Sequence, residues 1–244
     1  MRCYINKDAK ITLLYSIVRF FPYLCTMIRL SLTIATYNRA EQLIVTLNSV
    51  AAQSATSALW ECIVVDNNSK DDTHKRIAAF QAEHPHLNIR YCFEAEQGLS
   101  SARNAGIRLA EGDIIAFIDD DERIVEDFIT AYIELFDTHA DAMSAGGKIT
   151  AEYPTGRPCW MSRYTERPIA NTMYFGDKVR EFPEGRIPGG GNMAMRRSAV
   201  RRYGVFDTSL GYVGESLVGG EECDLFERLR IAEAKYYYVP TAVM

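Results

Sequence analysis

The sequence predicts an α/β fold: a doubly wound, Rossmann-like, mostly parallel sheet flanked by helices. Three observations predict it. From residue 30 onward, β-rich apolar runs alternate with stretches of helical period. The runs are continuously apolar rather than alternating, as strands covered on both faces must be. The polar residues that end them fall on one edge of such a sheet, where open α/β sheets hold their ligands.

The strands expected are LSLTIAT (30–36), WECIVVD (60–66), NIRYCF (88–93) and DIIAFID (113–119). Helices are expected near 40–53, 71–83, 100–111 and 124–138. The third helix is expected to take Ser100 or Ser101 as its N-cap and to stop at Gly112. Its Ala102, Ala105, Gly106 and Leu109 share one face, with small residues that permit close approach to a sheet. Regularity fades after about residue 148, and residues 150–191 hold five prolines, Trp160 and the run Gly189-Gly190-Gly191. Such a loop-rich half shapes a substrate site rather than forming a second core. The division expected is therefore an extension over 1–29 and one domain over 30–244, with halves at 30–148 and 149–244.

Composition sets the outer bounds. The 244 residues are 48% hydrophobic and 24% charged, enough to bury a core and unlike a disordered chain. With 27 basic and 32 acidic residues the net charge is −5, which argues against a nucleic-acid-binding surface. The six cysteines (Cys3, Cys25, Cys62, Cys92, Cys159 and Cys223) lack metal-site spacing, and a disulfide framework is not expected in a chain this size. His84-Pro85-His86 reads as a helix-ending turn.

Residues 11–28 are strongly apolar but contain Arg19 and Pro22, which a spanning helix disfavours. A membrane-surface segment, a disordered extension and sequence upstream of a start at Met27 all remain open, and the last is the reading adopted. The chain stops directly after an apolar strand, as a piece of a longer protein would.

The chemistry-bearing residues stand where strands end: Thr36-Tyr37-Asn38-Arg39, then Asp66-Asn67-Asn68-Ser69, then Asp119-Asp120-Asp121-Glu122. On an extended strand Asp119 and Asp121 share a face and Asp120 takes the other. Two carboxylates about 4 Å apart repel by roughly 1 kcal/mol in water and about 4 kcal/mol at an effective dielectric of about 20. Solvent or a hard cation such as Mg²⁺ or Mn²⁺ would stabilise the cluster; a plain acidic turn before a helix near Val125 is the alternative. Arg103 lies in the first turn of its helix, placed to pair with phosphate or a base, or simply solvated. In Gly219-Gly220-Glu221-Glu222, the acids open a helix whose dipole favours them. Glu222 shares a face with Leu225, Phe226 and Leu229, which predicts an inward carboxylate of raised pKa, fit to act as a general base.

Six segments in order resemble the family 2 glycosyltransferases: TIATYNR, VVDNNSKDDT, QGLSSARNAGI, FIDDDE, GGGNMAMRRSAV and GGEECDLFERL. The resemblance covers about residues 30–243 and implies a GT-A fold using nucleotide-activated sugars. It implies that Thr36, Tyr37, Asn38, Asp66, Arg103, Asp119 and Asp120 bind the nucleotide sugar, and that Asp119 and Asp121 hold a divalent metal, Mn²⁺ or Mg²⁺. It places Gly190, Gly191 and Asn192, with Trp160, in the loop lining donor sugar and acceptor. Glu222 falls at the family's catalytic base, with Glu221 as the alternative. The implied reaction is inverting transfer from a nucleotide sugar, most simply a UDP-sugar, to a saccharide or lipid-linked acceptor. It would serve cell-surface polysaccharide or glycolipid synthesis, in the cytoplasm and peripherally at the inner face of the membrane. A degenerate relative that binds nucleotide without turnover is the competing reading. A nucleotidyltransferase would want a Gly-rich, Arg-containing loop where TYNRAE stands. Members also continue into a metal-ligating His beyond the segment matching YYYVPTAVM.

Overall fold

A computed structural model describes residues 27–153, 155–212 and 219–244. The readings made on residues 1–26, with Cys3 and Cys25, lie outside the described residues.

The four apolar runs form β1 (Leu30–Thr36), β2 (Trp60–Asp66), β3 (Ile89–Phe93) and β4 (Ile114–Asp119), paired in parallel in the order β3-β2-β1-β4. Between them run α1 (Ala40–Ala51), α2 (Thr73–Glu83) and α3 (Leu99–Leu109), and α4 (Phe128–Thr138) follows β4. Period-2 strand geometry sends alternate side chains to opposite faces. Ile114, Ala116 and Ile118 of β4 join one core with α1, α2 and α4, while Ile115 and Phe117 join a second core with α3. Both faces are therefore covered, which is why these strands carry no polar face; each fully buried Leu, Ile or Phe contributes roughly 1.5–3 kcal/mol. The small face of α3 permits the close approach expected of it: a Cβ on Gly106 would lie 2.1 Å from Thr33 Cγ2.

Two helix starts differ from expectation. α3 begins at Leu99 with Gly98 before it, and neither serine caps it, because the Ser100 hydroxyl donates instead to the carbonyl of Leu210. α4 begins at Phe128 rather than near Val125, because the carbonyls of Val125 and Glu126, which a helix would pair four residues on, accept instead from the Gln53 side chain and the Ser54 backbone.

The second half adds β5 (Ala142–Lys148), α5 (Arg163–Ala170), the short β6 (Arg180–Glu181), β7 (Met193–Arg196), α6 (Arg197–Tyr203), α7 (Glu221–Ile231) and β8 (Lys235–Val243). Among the described residues the sheet has eight strands, in the order β3-β2-β1-β4-β7-β5-β8-β6. β7 enters antiparallel between β4 and β5, β8 lies parallel to β5, and β6 closes the edge antiparallel to β8. β7 thus stitches the two halves into one sheet. Asn192, just before it, is fully buried; its amide donates to the carbonyls of Lys148 and Ala242 and its oxygen accepts from Tyr132. Among the described residues no helix is long and apolar enough to cross a membrane.

Candidate active site

Strand register builds the site. Thr36 stands opposite Asp66 and Ala35 opposite Asp119, so β1, β2 and β4 end at one level. Beyond them opens a cleft of about 290 Å³ whose wall includes Thr36, Tyr37, Arg39, Asn67, Gln97 and Asp120. The Thr36 hydroxyl donates to Asp120 at 2.7 Å, and Arg39 reaches Asp120 at 3.1 Å and Asp121 at 2.8 Å. Strand alternation therefore ends at Asp119: Asp120 and Asp121 lie in the following turn and share Arg39, so the expected opposition of Asp120 to Asp121 does not hold.

Two expected nucleotide contacts, Asp66 and Asn38, do not line this cleft directly. Asp66 is buried and accepts from the backbone of Ser69 and the hydroxyl of Tyr91. Asn38 takes a left-handed backbone (φ 54°), and its side chain accepts from the backbone of Lys70, tying the two loops together.

Arg103 stands deeper than these. It lines not the first cleft but a neighbouring central one of about 350 Å³, is 3% exposed, and is committed to three carboxylates. It donates to Glu221 at 3.0 Å, to Glu222 at 2.9 Å and to Asp119 at 3.3 Å. A single guanidinium thus bolts the end of β4 to the start of α7, across more than a hundred residues of sequence. The two clefts share Leu99 and Tyr212, so they are continuous.

The acids divide by burial. Glu221 is 1% exposed, and burial together with the charge of Glu222 pushes its carboxyl up. Glu222, with 21% of its side chain exposed, faces the central cleft. The raised pKa expected for Glu222 is not found: burial alone would raise it, but the charge and hydrogen bond of Arg103 outweigh burial and hold it below the usual carboxylate range. The inward position on the apolar face belongs to Glu221, one turn before Leu225. Desolvation at the foot of the cleft pushes Asp119 up, opposed by Arg103 and assisted by Asp121 and Glu222. Glu122 is held up at about 8 by burial and by the charges of Asp119 and Asp121.

The glycine run fits against these acids. A Cβ on Gly190 would lie 1.8 Å from Oε1 of Glu222, and one on Gly191 2.8 Å from Oδ2 of Asp119. Only bare backbone fits there. Asn192 continues the run, with its side chain buried and bonded to Tyr132, Lys148 and Ala242. Trp160 is 64% exposed and lies away from the clefts that hold the acids.

The carboxylates around Asp119 and Asp121 have the hard-oxygen chemistry a divalent cation wants, and their mutual repulsion would ease around one. Among the described residues, though, no three His, Cys, Asp or Glu side chains are arranged as a ready metal-binding group. Sequence reading set Arg39, Asn67 and Glu122 at strand ends without giving them roles, and it missed Gln97 and Tyr212. Arg39 and Gln97 sit inside the motifs TYNR and QGLSSARN, but nothing local says which acid or carbonyl each will meet.

An open sheet with its acids and glycines gathered at the carboxyl edge is the GT-A design, and the fold is that of solved glycosyltransferases. A mannosyltransferase from Pyrobaculum calidifontis, solved with GDP-Man and Mn²⁺, matches with TM-score 0.63 at 19% identity, over 97% of this chain and 64% of that one. TarS of S. aureus in complex with UDP-GlcNAc matches with TM-score 0.62 at 19% identity, over 88% and 58%. The chain belongs to glycosyl transferase family 2, whose model matches residues 31–204. Among curated relatives, a glucosyl-dolichyl phosphate glucuronosyltransferase of Haloferax volcanii is 26% identical over 212 residues, covering 82% of this chain and 63% of the relative. The succinoglycan biosynthesis protein ExoM of Rhizobium meliloti is 29% identical over 219 residues, covering 88% and 65%. The chain thus spans just under two thirds of the length of these relatives.

Proposed function

We propose that this protein is an inverting glycosyltransferase, moving a sugar from a nucleoside diphosphate to an acceptor hydroxyl in polysaccharide or glycolipid synthesis. The observation that carries the reading is Arg103, which holds Asp119 and Glu222 on one guanidinium in a cleft continuous with the one lined by Thr36, Tyr37 and Asp120. The first cleft takes the nucleotide. Glu222, kept ionised by Arg103, takes the proton of the acceptor hydroxyl, and the oxygen attacks the anomeric carbon from the face opposite the diphosphate as the bond to phosphate breaks. Gly190 and Gly191 let the donor sugar lie against backbone. Asp119 and Asp121 would hold a divalent cation, Mn²⁺ or Mg²⁺, which supplies charge neutralisation to the departing diphosphate. Such electrostatic stabilisation is usually the largest catalytic contribution.

A UDP-sugar donor is supported by the UDP-GlcNAc complex of TarS, although the GDP-Man complex of the other neighbour points to a second base. A lipid-linked acceptor, and with it a peripheral position at the cytoplasmic face of a membrane, is supported by the dolichyl phosphate in the name of the Haloferax relative.

The test is Glu222→Gln. Product formation across a panel of nucleotide sugars should fall by about 10²–10⁴-fold, the usual share of a general base, while calorimetry shows nucleoside diphosphate still bound. Near-full turnover in the variant would remove Glu222 from this role.

A further inference from the structure

The central cleft is a junction. Beyond Glu222 it opens into a flank cleft of about 280 Å³, sharing Asn171, Gly190 and Glu222 with it. Beyond Glu122 it opens into a wider one of about 650 Å³. The charges of the two differ. The wider cleft is lined by Asp121, Glu122 and Glu152 against Arg123, which is itself ion-paired to Glu152. The flank cleft carries Arg167 and Arg186, and its one acid, Glu222, is already held by Arg103. Neither Arg167 nor Arg186 has an ion-pair partner among the described residues; the nearby Glu166 pairs instead with Arg157 and Tyr153.

Two exposed guanidinium groups lining one cleft, neither ion-paired among the described residues, form a receptor for an anion. The first cleft shares no lining residue with this one, so a diphosphate lying there would not reach them. We infer that the acceptor enters through the flank cleft and that it is anionic: a saccharide carrying a phosphate or carboxylate, which Arg167 and Arg186 hold while its hydroxyl meets Glu222. This rests on the reading of Glu222 as the base.

The test compares three acceptor glycosides that differ only in charge: a neutral alkyl glucoside, its 6-phosphate and the matching alkyl glucuronide. With the donor that supports transfer, both anionic probes should show KM values about tenfold or more below that of the neutral glucoside. The double variant R167Q/R186Q should bring the three KM values together, with kcat for the neutral probe changed far less than KM for the anionic ones. The phosphate and glucuronide arms then say which anion is preferred. Binding of the same probes, followed by ligand-observed NMR without donor, gives a readout that does not need turnover. If transfer fails with every donor yet the anionic probes bind wild type more tightly than the double variant, the transferase reading falls and the anion site stands. Equal binding of neutral and anionic probes to wild type, or a preference the double variant keeps, overturns the inference.

Discussion

Arg103→Met removes the cation that, among the described residues, Asp119, Glu221 and Glu222 share, while keeping most of the side-chain volume. Breaking a buried ion pair from one side costs about 3–5 kcal/mol, because the stranded charges stay behind. Two of the three acids can partly rehydrate, since the side chains of Asp119 and Glu222 are 41% and 21% exposed. Glu221, at 1%, cannot. The loss should therefore sit toward the lower end, about 3 kcal/mol. At roughly 2–4 °C per kcal/mol for a domain of this size, Tm should fall by about 6–12 °C at pH 7, read by circular dichroism. The pH dependence tests the cause. In the wild type the depressed Glu222 carboxyl contributes stability above the ordinary Glu value of about 4.3, lost as pH falls through its lower folded value. In the variant the stranded acids protonate more readily, so the gap between the proteins should be widest near neutrality and narrow toward about pH 4. A variant melting within about 2 °C of wild type at pH 7, or a gap that widens in acid, would refute this account of Arg103.

Two further substitutions separate positioning from stability. Gly190→Ala places a methyl 1.8 Å from Oε1 of Glu222 and 2.7 Å from a guanidinium nitrogen of Arg103, so Glu222 must swing aside. Turnover should drop by about 10²-fold, the usual effect of a misplaced group, with nucleoside diphosphate binding by calorimetry changed little. Asn192→Ala removes the bonds of its amide to the carbonyls of Lys148 and Ala242 and to the hydroxyl of Tyr132, although Lys148 keeps the backbone N–H of Met244. It should cost about 3 kcal/mol in a urea unfolding series; a loss below about 1 kcal/mol would show that the three groups find other partners.

The first half of the fold was legible because burial on both faces writes itself into sequence as an unbroken apolar run; β1, β2 and β4 fall where LSLTIAT, WECIVVD and IIAFID stand. β5 was not legible. Its AMSAGGK is small and partly polar, because Gly146 and Gly147 must admit Pro188 and Asn192 against the strand. The start of α4 was displaced by bonds from Gln53 and Ser54 to the carbonyls of Val125 and Glu126, made across more than seventy residues. At the site, residue types were readable but their partners were not. The acids could be placed at strand and helix ends from local pattern, yet that Arg103 would hold three of them, and Arg39 two, depends on how α3, α7 and β4 converge.

The choice between the two helix-opening acids turns on access and charge. Glu221 has one carboxyl oxygen bonded to Arg103 and the other buried without a partner, and burial holds it toward the protonated form. Glu221 stands at the back of the central cleft, badly placed to come within about 2.6–3.2 Å of an acceptor oxygen, as proton abstraction requires. Glu222 lines both the central and the flank cleft and is kept ionised. Glu221→Gln should therefore keep turnover within about tenfold of wild type, where Glu222→Gln loses about 10²–10⁴-fold. The acid limb of kcat in wild type should lie below the ordinary carboxylate value of about 4.3, because the base is lost only as pH falls through the depressed pKa of Glu222. Glu221→Gln should leave that limb in acid, since the limb belongs to Glu222. If Glu221→Gln abolishes transfer while Glu222→Gln spares it, the deeper acid is the base and the division of labour drawn from burial is reversed.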